Sequence, residues 1–549
     1  MTRRRTLRRG VATILGIVLV AAACSESADE PAADEPAAVA ADAGGCFTAQ
    51  VEGDAGAIEL EDATDDLGFV EPLTGMYGHA TALGDVNGDG WTDVFVGTFA
   101  DRDPEDYRHR GAEGPSPDRL LLGGPDGFRV DESFPEMRGR TSGAAFADLD
   151  GDGLLDLVLA RNVRTDEERG DAPSIVLRNV AGRFEHAAEL DTGRSARSVG
   201  ILDADGDGLL DVFLLEDQWG DGSSVLLRHL GDFEFDDVAD DMGLPDDVHG
   251  LGVSASDLTG DGLTDLFVAG SNRLFVNTGA HFEEADGSVF EWETFGDEDT
   301  VAGVASGDVN RDGRFDLLVG HHFNSTVDDD REVPVRLYLN EGVDDRGHPT
   351  FRDVTEDAGL LPLPTKAPHV EIVDLDGDGW PDLLTSASAD DGSRPAVFRN
   401  LGTGAGEDPA FEAPEGLGDD QYWVAGGTFD ARHDGRVDVL LVEWEPTLPS
   451  LLLRSTGTSG HWIEVGGGAP ALGAQVDVFE AGGLGEADRL LGSAPITASV
   501  GYSSGSEATA RFGVDDVTSV DVLVRLPGGD DVELRDQAVD RRIVIDADC

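Results

Sequence analysis

Asp374-Leu-Asp376-Gly-Asp378-Gly379-Trp-Pro-Asp382 runs directly into Leu-Leu-Thr385, and this stretch decides the fold. Carboxylates stand at positions one, three, five and nine, with a glycine at six. Oxygen ligands at alternate positions of a tight loop form a hard cage, the kind that suits Ca2+. The glycine fits a sharp turn with positive φ. The same frame recurs from Asp85, Asp148, Asp203, Asp257, Asp308 and Asp430. Position three is Asp150, Asp205 and Asp376 in three copies, Asn87 and Asn310 in two, Thr259 in one and Arg432 in the last.

The candidate ligands follow from the frame. They are Asp85, Asn87, Asp89, Trp91 and Asp93; Asp148, Asp150, Asp152, Leu154 and Asp156; and Asp203, Asp205, Asp207, Leu209 and Asp211. The later loops offer Asp257, Thr259, Asp261, Leu263 and Asp265; Asp308, Asn310, Asp312, Arg314 and Asp316; and Asp374, Asp376, Asp378, Trp380 and Asp382. The seventh residue of each set can contribute only its main-chain carbonyl, as in other calcium loops. An EF-hand would need a glutamate at position twelve and flanking helices. Position twelve here is Val96, Leu159, Leu214, Val268, Val319, Thr385 or Leu441, inside apolar strands. The cage therefore closes early, at the ninth position, within a β-hairpin. We expect five full calcium sites, a weaker sixth at Asp257, Asp261 and Asp265, and none at Asp430, where Arg432 cannot ligate a cation.

Charge narrows the partners. The 549 residues include 111 acidic and 39 basic ones, a net charge of −72, with one lysine, Lys366. Phosphate recognition needs basic patches, so nucleic acid is excluded as a partner. Docking on anionic lipid by charge is excluded likewise. The amino terminus reads as an export signal over residues 1–23: arginines at 3, 4, 5, 8 and 9, then an apolar run to Ala23. Ala21-Ala22-Ala23-Cys24 resembles a lipoprotein box, which would acylate Cys24 and make the lipid anchor the one membrane contact; the alternative is ordinary cleavage after Ala23 and a secreted chain. Residues 24–45 lack aromatic residues and read as a disordered acidic tether. Cys46 and Cys549 remain, and an exported chain can join them as a disulfide.

Successive loops start 51 to 66 residues apart, room for four short strands. A third strand such as Arg119-Leu-Leu-Leu or Ser174-Ile-Val-Leu follows each hairpin, then a glycine-rich turn and an aromatic strand. Small residues fill alternate positions of the strand entering each loop (Ala80 and Ala82, Gly143 and Ala145, Gly252 and Ser254), as strands converging on an axis require. His369 and Glu371 break these columns, and His321-His322 ends the outgoing strand of the fifth repeat; all four are candidates for a ligand funnel. The chain reads as all-β: a seven-bladed propeller over residues 46–455, then a small β-domain over 456–549.

These repeats resemble the FG-GAP/VCBS repeats of integrin α propellers and of the cartilage acidic protein family. Phe351-Arg-Asp-Val-Thr-Glu-Asp-Ala-Gly359 is similar to that family's blade connectors. Gly460-His-Trp-Ile-Glu-Val465, Arg511-Phe-Gly-Val514 and Val520-Asp-Val-Leu-Val-Arg-Leu-Pro-Gly528 resemble an ASPIC/UnbV domain. The resemblance implies calcium loops on one face, extracellular binding of a protein or glycan, and partner docking on the opposite face.

No catalytic signature stands out. Gly501-Tyr-Ser503-Ser-Gly505 matches Gly-x-Ser-x-Gly but lacks the strand-turn-helix context, so it reads as a loop. Arg169-Gly-Asp171 is a triplet this composition yields by chance. The expected function is an exported, calcium-stabilised binding or scaffold protein at the cell surface. The alternative is an extracellular polysaccharide hydrolase or lyase, which would need a deep pocket of histidines, arginines and acids on the face away from calcium.

Overall fold

A computed structural model describes residues 57–545, without 163–172, 192–194, 221, 292–299, 323–331, 415, 445–447, 458–459, 469–470 and 530. The export signal, the tether, Cys24, Cys46, Cys549 and Arg169–Asp171 lie outside the described residues. No described helix is long and apolar enough to cross a membrane.

Seven sheets each contain a run of four antiparallel strands, and each run carries one of the nine-residue loops. In blade one, Gly78–Gly84 is innermost, followed outward by Asp93–Thr98, Arg119–Leu122 and Arg129–Val130. The loop joins the first two strands, so all the loops project from one face. Blade six runs through Val370–Val373, Asp382–Ala389, Pro395–Asn400 and Phe411–Glu412, with Leu417–Tyr422 added alongside. Blade seven takes its three inner strands from Ala425–Phe429, Asp438–Val442 and Leu451–Ser455. Its outermost strand is Leu60–Asp62, from the beginning of the described chain. The ring is thus fastened by pairing its first strand with its last blade.

The small-residue columns face the neighbouring blade as well as the channel. A Cβ on Gly143 would meet the Arg197 carbonyl at 2.6 Å, and one on Gly252 the Ala302 carbonyl at 2.5 Å and the Gly501 carbonyl at 2.8 Å. These residues face the innermost strand of the next blade. The reason is geometric: blades stand face to face and approach most closely near the axis, so the side chains point sideways and the strand edges line the channel.

The remaining strands form two sheets. His461–Gly466 lies between Thr509–Asp515 and a parallel partner, Arg541–Val544. Leu490–Pro495, Gln475–Glu480, Ser519–Arg525 and Val532–Ala538 form the other. Their apolar faces join Ile463, Val476, Val478, Phe512 and Val522 into one core that continues into blades two and three through Leu149 and Leu210.

Candidate metal loops and a filled channel

Each loop is shaped by its own carboxylates. The position-one aspartate accepts the N–H of the position-six glycine in all seven, from Gly90 to Asp85 at 2.7 Å through Gly435 to Asp430 at 2.6 Å. Those glycines have φ between 77° and 88°, as the turn requires. Position four is left-handed too, and Arg311 and His433 hold it at 55° without being glycine.

The ninth aspartate is a staple as well as a candidate ligand. Asp93 is fully buried; one oxygen accepts the Val86 N–H at 3.0 Å and the other the Gly123 N–H at 2.8 Å. Asp156, Asp211, Asp265, Asp316, Asp382 and Asp438 repeat this link between the loop and the end of the blade's third strand. The sequence reading missed a second stitch there. Asn179, Asn277, Asn340 and Asn400 donate their side-chain amides to the carbonyls of Val86, Ala204, Leu258 and Val309, each in the preceding blade's loop. The signal was available: an asparagine closes the third strand in four of seven repeats.

Three loops bring carboxylates together as a cage would. Oxygens of Asp148, Asp150 and Asp156 lie within 4.8 Å of one another, as do those of Asp203, Asp205 and Asp211 and those of Asp374, Asp376 and Asp382. These groups could hold a metal ion. Two further oxygens sharpen the fit. Asp205 Oδ1 and Asn310 Oδ1, both at position three, are buried without a hydrogen-bond partner. A buried acceptor left unpaired is costly, and a cation would satisfy it. Burial, together with neighbouring carboxylates, pushes Asp93 up to about 8 and Asp156, Asp211, Asp308 and Asp374 up to about 7. Asp265, Asp316 and Asp382 rise well above the usual range for the same reasons. The donor set is all oxygen, which suits a hard divalent cation.

Loop seven is built otherwise. Arg432 Nη2 donates to Asp438 Oδ1 at 3.0 Å and to the Ser455 carbonyl at 2.8 Å, and Nη1 lies 3.5 Å from Asp434 Oδ2. A guanidinium sits among the carboxylates of this loop.

The face bearing the loops is covered by the C-terminal sheets. Gly513 N–H donates to Asp374 Oδ2 at 3.1 Å, Gln475 Nε2 to the Gly313 carbonyl at 3.1 Å and Gly528 N–H to the Gly262 carbonyl at 3.1 Å. Glu507 accepts from Thr92 beside loop one, at 3.1 Å. Burial alone would raise the Glu507 carboxyl, but Arg542 and Arg511 hold it down to about 2.

From this cover a segment enters the channel. Gly501 exchanges N–H and carbonyl with Val304, at 2.8 and 3.1 Å, and Gly505 N–H donates to the Thr81 carbonyl at 2.7 Å. Ser499 Oγ donates to the Val199 carbonyl. The innermost strands of blades one, three and five are thereby met along their free edges. At the far end, Tyr502 Oη accepts from Arg197 Nη1 at 3.1 Å and lies 3.2 Å from His79 Nε2, while Arg197 is paired with Asp217. The Gly-x-Ser-x-Gly segment is thus a channel plug, in keeping with its reading as a loop.

The proposed funnel is closed. His369 and Glu371 are buried, joined to each other at 2.8 Å. Glu371 accepts from Thr428 of blade seven at 2.6 Å, and His369 Nδ1 lies 3.3 Å from Ser504 Oγ of the plug. His321 is buried too, its ring pushed down to about 3 by burial, and its main chain pairs with Ala367. His322 reaches the opposite face, edge-on to Trp219. His369 and Glu371 thus fill contacts with the plug and with blade seven, and His321 is buried against Ala367.

The family matches agree with this architecture. FG-GAP-like repeats match residues 85–159, 203–268, 257–319 and 374–441, and an ASPIC and UnbV domain matches 465–548. Cartilage acidic protein 1 of Xenopus tropicalis is 25% identical over 70% of this chain and 61% of its own length; that of Homo sapiens is 26% identical over 70% and 60%. The chain therefore spans less than two thirds of these relatives. Among solved structures, the exotype rhamnogalacturonan lyase YesX aligns with 14% identity and a TM-score of 0.38, over 70% of this chain and 72% of that one.

Proposed function

We propose that this chain, an FG-GAP-like repeat protein that ends in an ASPIC and UnbV domain, is an exported, calcium-stabilised binding or scaffold protein of the cell surface. The observation that carries the reading is the position of its own C-terminal domain. That domain occupies the loop-bearing face and fills the channel, so a ligand must use the opposite face. There the residues that follow the second strands present aromatic and cationic groups: Arg102 lies 4.6 Å over Trp444, and Trp219, 44% exposed, meets His322. Exposed aromatic residues and arginine are the usual anchors of protein and glycan interfaces.

Calcium serves stability in this reading. A cation in loops one to six draws positions one, three and five together, and the ninth aspartate carries that order to the third strand. We place full sites in loops one, two, three, five and six, with a weaker one in loop four. The export signal and the name of the relatives, a cartilage protein, support placement outside the cell, with Cys24 as the anchoring residue.

A screen of glycans and secreted proteins against the purified chain in calcium tests the reading. Binding should be lost in Trp219→Ala with the melting temperature unchanged, and in Trp444→Ala, which should also melt lower because it gives up packing against Tyr77, His79 and Phe99. Ligands that ignore both substitutions would overturn the face assigned, and turnover of an acidic polysaccharide would favour the lyase alternative.

A further inference from the structure

Position three of each loop varies together with one distant residue. Where position three is Asp150, Asp205 or Asp376, the residue just before the stapling N–H at the end of the third strand is Arg178, Arg228 or Arg399. Where it is Asn87, Thr259 or Asn310, that residue is Leu122, Val276 or Leu339. The pairing holds in all six loops read as cation sites.

Contact accompanies the pattern. Arg178 Nη2 lies 2.5 Å from Asp150 Oδ2 and 3.1 Å from Asp152 Oδ2. Arg399 Nε lies 2.6 Å from Asp376 Oδ2, and its Nη2 3.1 Å from Asp378 Oδ2. Arg228 Nη1 is 3.7 Å from Asp205 Oδ2, and the other oxygen of that carboxylate is the buried one without a partner. The guanidinium takes one oxygen of the carboxylate and leaves the other for the cage.

The charges balance. A loop with aspartate at position three holds four carboxylates and one guanidinium from its own blade; loop six also receives Arg311 of loop five, which donates to the Gly379 carbonyl at 2.8 Å. A loop with asparagine or threonine there holds three carboxylates and an aliphatic neighbour. The core of either kind carries the same net charge. Loop five adds Arg314, paired with Asp312, outside this exchange.

We propose that Arg178, Arg228 and Arg399 set cation affinity: each offsets the extra carboxylate at position three, so an Asp–Arg loop binds calcium about as tightly as an Asn–Leu loop. This rests on the calcium reading above. The arginines act through the carboxylates and do not themselves touch the ion.

Two tryptophans at position seven make the test local. Trp380 belongs to an Asp–Arg loop and Trp91 to an Asn–Leu loop. Tryptophan-sensitised Tb3+ luminescence, competed with Ca2+, can be read on the full exported chain. The signal lost in Trp380→Phe belongs to loop six, and that lost in Trp91→Phe to loop one. Arg399→Leu should tighten loop six about tenfold, since a positive charge leaves the neighbourhood of a divalent ion. Asp376→Asn alone should weaken it about tenfold, and the double variant should return to within about threefold of the parent. A mere loss of structure would not tighten binding. If Arg399→Leu fails to fold, loop one carries the reverse exchange. Leu122→Arg should weaken the Trp91 signal, and Asn87→Asp added to it should restore the signal. Looser or unchanged binding in Arg399→Leu, or a double variant that stays tenfold or more away from the parent, overturns the proposal while leaving the calcium reading in place. A parent chain with neither signal takes both down.

Discussion

Loops six and seven are neighbours with the same frame and opposite means of balancing charge. Both place a position-one aspartate on a glycine N–H, and both staple the third strand through a buried ninth aspartate. Loop six gathers Asp374, Asp376 and Asp382 around a common point. Loop seven puts the Arg432 guanidinium among Asp434 and Asp438. The backbone is indifferent to which cation it receives. What the fold requires is positive charge beside buried carboxylates, because uncompensated charge away from water is costly. A bound ion in loop six would make that requirement conditional on the surroundings; a covalent arginine makes it permanent.

Removing the mobile ions should produce the largest effect. Chelation in excess should lower the melting temperature by about 10 °C or more, since several ions bind only the folded state and each adds stability by mass action. An unchanged melting curve in chelator would break the comparison, because loops one to six would then be as self-sufficient as loop seven.

Arg432→Ala attacks the permanent counter-charge. It leaves Asp438 fully buried and unpaired, and a partly exposed pair of this kind should be worth about 2 kcal/mol. Added calcium should not recover the loss, since loop seven lacks a third-position oxygen. Arg399→Ala in calcium should cost under about 1 kcal/mol, because the ion remains. Equal losses measured by denaturant titration would show that the two arginines do the same work.

The loops were legible in the sequence because each is local: nine consecutive residues hold the frame, the turn glycine and the exit strand. The repeat then multiplied the signal. The channel was not legible. Its contents come from residues 499–505, hundreds of positions away from Thr81 and Val199, and the contacts are main-chain bonds and hydroxyls that carry no sequence pattern. His369 and Glu371 drew notice by breaking a column of small residues. That break marks the bulk needed against Thr428 and Ser504, which a pattern within one repeat cannot reveal.

A pH series separates the two loops further. A carboxyl raised in the folded state holds its proton there while the unfolded chain has lost it. Its stabilising contribution is complete below the unfolded value of about 4 and disappears as pH rises through the folded value. For Asp93 that upper limit is about 8, and for Asp156, Asp211, Asp308 and Asp374 about 7. Chelated protein should therefore melt lower at pH 8 than at pH 5.5. Saturating calcium should abolish the fall by favouring the charged form. In loop seven Asp438, beside Arg432, rises only to about 6, while burial and the Glu464 carboxylate raise Asp430 well above the usual range, so this loop shares in the fall through Asp430 and not through Asp438. A chelated protein more stable at pH 8 than at pH 5.5 would contradict this account.

The smallest change in stability should come from turning loop seven into a copy of loop six. Arg432→Asp supplies the missing third-position carboxylate. Arg454 already stands at the position that Arg399 holds in blade six, next to the residue whose N–H meets the ninth aspartate. Asp430, Asp434, Asp438 and Gly435 complete the frame, and Gly435 keeps its φ of 77°. Loss of the internal guanidinium should be offset by an acquired ion. In excess calcium the melting temperature should stay within about 2 °C of the parent, a balance of about 1 kcal/mol or less. Metal analysis after gel filtration should find one more calcium per chain. In chelator the variant should fall below the parent, since four carboxylates would then share a loop that had carried its own cation. If Arg432→Asp gains no ion, the difference between the two loops lies outside position three, and the Glu464 carboxylate that also acts on Asp430 from the C-terminal domain becomes the element to change next.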